Sequence, residues 1–200
     1  SAASDVYKRQ LVETLVAISI LLIVIVGPMT ISMQSAKSAS FASEQVQAFF
    51  LAQEGLELAQ KARDDLSLAG TLFGGPETEP WDKFYESTSP GIYLTCHITT
   101  GCGLSWSASP SSDLATVVNC ADNPDSCKLH LKDSDQNERS RFSHNDDSTT
   151  PTPFTRKVYF DNSTIGTVHV RSVVTWRTGS LVAEQKVEVD TYLYNIYGTQ

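Results

Sequence analysis

Glu13 stands immediately before a stretch of 23 residues, 14–36, that carries no charge. A carboxylate at the mouth of an apolar helix has two physical uses. It can sit solvated near the positive helix terminus, or it can be held among apolar surfaces by a cationic partner. Position alone leaves both open. Beyond the apolar stretch lie four cysteines, Cys96, Cys102, Cys120 and Cys127. An even count on the oxidising side of a membrane favours disulfides. Three pairings are possible, and the local one, Cys96–Cys102 with Cys120–Cys127, is preferred because it staples two short loops. The spacings lack the Cys-x-x-Cys ligand pairs of a zinc site. Asp133-Ser134-Asp135-Gln136-Asn137 imitates the start of a calcium loop, but Glu138 replaces the turn glycine and His144 the bidentate Glu, so the segment reads as a solvated loop with no metal. His97, His130, His144 and His169 have no nucleophile at a recognisable spacing. Gly-x-Ser-x-Gly and phosphate-cradling glycine loops are missing. Trp106 and Trp176 read as core or sheet-surface residues, and Asn162-Ser163-Thr164 matches the glycosylation triplet only as often as chance allows. No catalytic residue and no cofactor is expected, which leaves assembly or binding as the function.

The elements that position these residues follow from periodicity. Residues 14–36 would rise about 34 Å as a helix, enough to cross a hydrocarbon core of about 30 Å. The run is apolar all round, which argues against an amphipathic core helix, and too long for a cleaved secretory signal. Lys8 and Arg9 precede it and Lys37 follows, so the amino end is expected in the cytoplasm and the rest outside. Gly27-Pro28 interrupts the run and predicts a kink or a melted turn. From 36 to about 66 the pattern turns amphipathic. Ala48, Leu51, Ala52, Gly55, Ala59, Ala62 and Leu66 form a stripe of mostly small residues, with Phe49, Phe50, Leu56 and Leu58 expected to fill its flanks. Gly70 and then Gly74-Gly75-Pro76 are expected to end the helix.

After the glycines the pattern switches to short β-type runs. Ile92, Leu94, Cys96 and Ile98 alternate with Tyr93, Thr95 and His97 as a strand would. Residues 156–160, 166–176 and 181–194 read as an antiparallel meander with a turn at 177–180. Glu184, Lys186, Glu188 and Asp190 face outward in its last strand, and Val187, Val189, Thr191 and Leu193 inward. Residues 105–115 and 133–153 read as loops. The expected fold is α+β: a long kinked amino-terminal helix, transmembrane in its first half, packed by its second half on a carboxy-terminal antiparallel sheet. The divisions are 1–10, a non-native or divergent leader remnant; 11–36, the membrane half of the helix; 37–69, its extracytoplasmic half; and 70–200, a β-rich head.

The totals narrow the function further. With 40% hydrophobic and 19% charged residues, neither wholesale disorder nor a polytopic membrane protein fits. A formal charge of −8 argues against a nucleic-acid partner, which would need a basic face.

The segment Leu11-Val12-Glu13-Thr14-Leu15-Val16-Ala17-Ile18-Ser19-Ile20 resembles the amino-terminal segment of type IV pilins and the pseudopilins of type II secretion. The stretch 47–57, Gln-Ala-Phe-Phe-Leu-Ala-Gln-Glu-Gly-Leu-Glu, is similar to the second half of the long helix in pilin-like proteins. Together the matches cover about residues 11–65. In that family a prepilin peptidase cuts after the Gly of a basic leader, the new amino terminus is methylated, and a Glu four residues on precedes the apolar helix; that Glu maps onto Glu13. Lys8 stands where the family has Gly, and Arg9 where it has an aromatic residue or Met, while 1–10 resembles a translated adaptor more than a leader. The resemblance implies a minor pilin or pseudopilin that assembles through its apolar helix. Its partners would be other pilin-like subunits, the prepilin peptidase, the inner-membrane assembly machinery and the bilayer. The alternative is a single-pass anchored extracytoplasmic domain for binding or adhesion.

Overall fold

The structure, a computed structural model, describes residues 2–72, 79–85, 92–106, 116–121, 125–132, 140–144, 149–161, 166–178 and 183–196. Helix α1 spans Ala2–Leu72. It continues through Gly27-Pro28 as helix, so the melted turn suggested by the sequence does not occur. Thr30 Oγ1 donates to the Gly27 carbonyl at 2.7 Å and Ser32 Oγ to the Pro28 carbonyl at 2.9 Å, so both hydroxyls are bonded to the helix's own backbone. The helix also runs past Gly70, one of the expected stops.

The chain divides into two compact units, Ser1–Glu44 and Gln45–Gln200. The first is helix throughout its described residues. Its apolar side chains, from Leu11 through Met33, are all exposed, because this unit has no other element to bury them.

In the second unit the remaining length of α1 packs on a seven-stranded antiparallel sheet, an α+β arrangement. The strands are β1 Cys102–Ser105, β2 Thr116–Asn119, β3 Lys128–Lys132, β4 Arg141–Ser143, β5 Thr149–Asp161, β6 Thr167–Trp176 and β7 Gln185–Tyr194. Strand β5 is the hub. It pairs with β6 along one edge, and along the other with β3 and, at Val158, with β1. The β6–β7 ladder runs unbroken from Thr167↔Tyr194 to Trp176↔Gln185. A short helix α2, Glu79–Tyr85, and a 3₁₀ turn at Leu94–Cys96 complete the unit.

The stripe on α1 explains the packing. Ala48, Leu51, Ala52, Gly55, Ala59, Ala62 and Leu66 are all buried. Closest approach falls at Gly55, where a methyl group would collide with the Ser172 hydroxyl and come within 3.2 Å of Arg156 Cδ. Only glycine lets helix and sheet approach this closely. Two clusters form the core. One gathers Ala59, Ala62 and Leu66 with Phe84, Tyr93, Val158 and Phe160, and the other gathers Ala48, Leu51 and Ala52 with Leu129, Phe154, Val174 and Trp176. Burying large apolar side chains of this kind contributes about 1.5–3 kcal/mol each.

Several expectations need correction. Phe49 and Phe50 do not fill the flanks of the stripe; they are 44% and 64% exposed, with their rings edge-to-face. Residues 92–98 are not a strand. The Cys96–Cys102 disulfide, with a sequence separation of 6, curls this segment into a 3₁₀ turn. Gly101 takes φ +70° to deliver Cys102 to β1, and Tyr93 and Cys96 are both buried while Ile92 and Ile98 are exposed, so the expected alternation does not hold. The polar stretch 133–153 contains β4 and the start of β5. Pro151 and Pro153 lie on the side of β5 where its pairing with β3 is irregular, a position that tolerates a missing donor. The turn at 177–180, apart from its first two residues, lies outside the described residues, as do 133–139 and 162–165 with the calcium-like and glycosylation patterns.

The second disulfide joins Cys120 to Cys127, and no cysteine is free. Asn119 Oδ1 accepts a hydrogen bond from the Ala121 amide at 3.0 Å as the chain leaves β2. Closing loops of this length stabilises by about 2–3 kcal/mol each in the chain-entropy view.

Candidate assembly site

In the first unit the chemistry-bearing residues fall on one helix face. Lys8, Arg9, Val12 and Glu13 lie together on its surface, as the 4-residue step from Arg9 to Glu13 dictates. Glu13 is exposed, and the apolar turns from Leu15 to Val26 that follow it are exposed all round. Thr14 and Ser19 do not add polarity to that surface. Their hydroxyls donate to the Leu11 carbonyl at 3.0 Å and the Leu15 carbonyl at 2.8 Å. The helix is long and apolar enough to cross a membrane. Its carboxylate therefore stands, beside Lys8 and Arg9, at the start of an exposed apolar surface.

The second unit contains a charge the sequence reading passed over. Arg156 is 0% exposed, in the alternation Phe154, Arg156, Val158, Phe160 that forms the inner face of β5. Its guanidinium donates to Glu54 Oε2 at 2.6 Å and the Leu51 carbonyl at 3.2 Å on the helix, and to the Leu104 carbonyl at 2.8 Å on β1. Burial pulls its proton affinity down, and the Glu54 carboxylate opposes that. One side chain thus ties the helix to two strands. The signal was available: a period-2 strand that places an Arg among Phe, Val and Phe demands a carboxylate opposite, and Glu54 sits beside Gly55 on the stripe.

His144 lies in the same region. It is buried, and its ring packs over Gly103, where a methyl group would come within 2.9 Å of it. Burial, reinforced by the nearby Arg156 and by His130, pushes its pKa down to about 3 even though the Lys128 and Cys127 backbone opposes this. It is a neutral packing histidine. The other three also serve the fold: His97 packs edge-on to Phe160, His130 is buried in β3, and His169 stacks on Tyr192 and bonds Asp190 at 2.9 Å.

The outer sheet face carries a ladder of ions. Arg171 bridges Asp161 at 2.9 Å and Glu188 at 3.3 Å and lies over the Tyr159 ring. Side-by-side pairs of this kind register strands but contribute little, typically about 0–1 kcal/mol each. Among the described residues no group of three or more His, Cys, Asp or Glu side chains could hold a metal. No family model matches the chain, and no curated protein and no solved structure matches it either.

Proposed function

We propose that this chain is a structural subunit of the pilin-like class, a minor pilin or pseudopilin, that assembles through the apolar half of α1. The observation that carries the reading is the fully exposed apolar surface from Leu15 to Val26 with Glu13 at its start, on a helix whose later length is the buried core of a disulfide-stapled domain. A plain anchor has no need of a carboxylate at that point. A bundle of such helices can use one, paired with a cation from a neighbouring subunit. In this reading the chain waits in the cytoplasmic membrane with its amino end inside, is processed by a prepilin peptidase, and is drawn into a fibre of a pilus, secretion or competence system by the inner-membrane machinery.

The test replaces residues 1–8 with a cleavable basic leader ending in Gly and supplies an assembly system. The subunit should appear in the sheared fibre fraction. Glu13→Leu should insert in the membrane as well as the parent but enter fibres at about a tenth or less of its level, since leaving one partner of a buried pair typically costs about 3–5 kcal/mol. A parent that never enters fibres would favour a membrane-anchored binding or adhesion domain.

A further inference from the structure

We propose that the free edge of β7 is a docking site for a second copy of this chain, β7 against antiparallel β7 about a two-fold axis at Glu188. Among the described residues, three strands have a neighbour on one side only: β2, β4 and β7. Strands β2 and β4 are 4 and 3 residues long and offer little to pair with. Strand β7 runs for 10 residues without proline or glycine, and its ladder with β6 is unbroken. Along its other side it presents a row of backbone N–H and C=O groups that an extended strand can pair with. It has none of the devices that commonly close such an edge: no bulge, no proline, no charge pointing into the core. Its inward-facing Val187 and Val189 are only half-buried, at the margin of the cluster around Trp176. A strand added beside them covers that margin.

The charges on the outer face of β7 select both the partner and the register. Lys186, Glu188 and Asp190 are exposed and carry both signs, so the same strand reversed is complementary to them. With the axis at Glu188, Lys186 stands opposite the second copy's Asp190, and the two-fold repeats that pair. Asp190 bonds His169 through Oδ2, which leaves Oδ1 to accept from the copy's Lys186. On the inner face Val187 stands opposite the copy's Val189 in the same way. At the axis Glu188 meets Glu188, and each carboxylate there already holds Lys186 and Arg171 of its own chain. Other registers are worse. An axis at Val189 sets Glu188 opposite Asp190 twice. An axis at Asp190 or beyond draws in Tyr194, whose carbonyl already accepts from Arg63 on α1 at 3.4 Å. An axis at Val187 pairs only residues 185–189 and sets Glu184 opposite Asp190. The pair is closed by its axis and adds no third copy, so it goes beyond the fibre reading and does not rest on it.

The test uses the full chain in detergent, with micelles in excess over protein. No native cysteine is free, so a single introduced thiol reports on one position. Opposed residues of an antiparallel pair have Cα atoms about 4.5–5.5 Å apart, a distance a disulfide spans. Glu188→Cys should therefore crosslink to itself under mild oxidation, about tenfold faster or more than Gln60→Cys, an exposed site on α1. Lys186→Cys and Asp190→Cys should each crosslink poorly alone, because like positions lie about 13 Å apart along the strands, and readily when mixed. By sedimentation, Asp190→Lys should weaken the dimer about tenfold, and Lys186→Asp combined with Asp190→Lys should restore it to within about threefold. Near-UV circular dichroism should not change, since all three side chains are exposed. Hydrogen exchange should find alternate β7 amides fast in dilute protein and slow once the dimer forms. Three outcomes would overturn the inference: Glu188→Cys crosslinking no faster than Gln60→Cys, a charge exchange that restores nothing, or β7 amides slow at every dilution, which would mean that the chain covers this edge itself. None of these readouts involves fibre entry, so failure here is distinct from failure of the assembly reading.

Discussion

The two units of this chain treat charge in opposite ways. In the first, Glu13 stands exposed at the head of a run of unburied apolar turns. In the second, Arg156 is fully buried, and three acceptors from α1 and β1 meet it inside the same chain. One charge is met by partners within its own fold; the other is left at the surface. The second unit encloses its charge within its own core, while the first leaves exposed an apolar helix long enough to cross a membrane.

The strongest way to break that comparison is to remove Arg156 or its internal partner Glu54. Arg156→Ala strands the Leu51 and Leu104 carbonyls and the Glu54 carboxylate, and should destabilise the domain by about 3–5 kcal/mol. Glu54→Gln keeps a neutral acceptor on a partly exposed side chain and should cost less, about 1–2 kcal/mol. Arg156→Met, which removes the charge but fills the space, should recover most of the loss. Denaturant titration of the three variants reads the order directly. Equal stability for Arg156→Ala and the parent would show that the buried guanidinium does not hold the helix to the sheet.

The stripe and the last three strands were legible because one periodicity governed each. Small residues at helical spacing can only mean close approach, and the alternation of Lys186, Glu188 and Asp190 with Val187 and Val189 can only mean a sheet with one wet face. The local disulfides were legible for a similar reason, since each pair closes a short loop. Residues 92–98 misled because a covalent crosslink outranks alternation: Cys96 must turn back to reach Cys102, and Tyr93 then joins the aromatic core with Phe84 and Phe160. Strands β2, β3 and β4 span only 3–5 residues, too few for a period to rise above their polar surroundings.

Acid offers a second, smaller test of the closed domain. The folded state holds His144 neutral with a pKa of about 3, against an ordinary value of 6.5. Above pH 6.5 neither state is protonated and the fold has its full stability. As pH falls from 6.5 towards 3 the unfolded chain takes up a proton that the folded chain refuses, so stability drops throughout that window. By pH 5 the loss from this residue should be about 2 kcal/mol. Arg156 and His130, which face it, both disfavour the imidazolium and cannot rescue it. His144→Gln should flatten the difference in denaturation midpoint between pH 7.5 and pH 5. An unchanged difference would mean that another group carries the acid sensitivity.

The smallest expected effect falls on Phe49 and Phe50, where the boundary between the two kinds of surface is drawn. Both belong to the second unit yet behave like the first, as large apolar side chains left in the open. Their neighbours Ala48, Leu51 and Ala52 face the sheet, and a helix turn of 3.6 residues cannot bring 49 and 50 round to the same side. Val46, exposed as well, stands three and four residues before them and extends the same face. Since the folded domain gains little from them, Phe49→Ser and Phe50→Ser should each shift its stability by no more than about 0.5 kcal/mol. Ala48→Phe, one residue away on the buried stripe, should cost about 1–3 kcal/mol by overpacking. Thermal melts of the three variants place the edge of the core to a single residue. A loss above about 1 kcal/mol at Phe50 would mean that the domain covers this ring, and that its edge lies nearer the amino end.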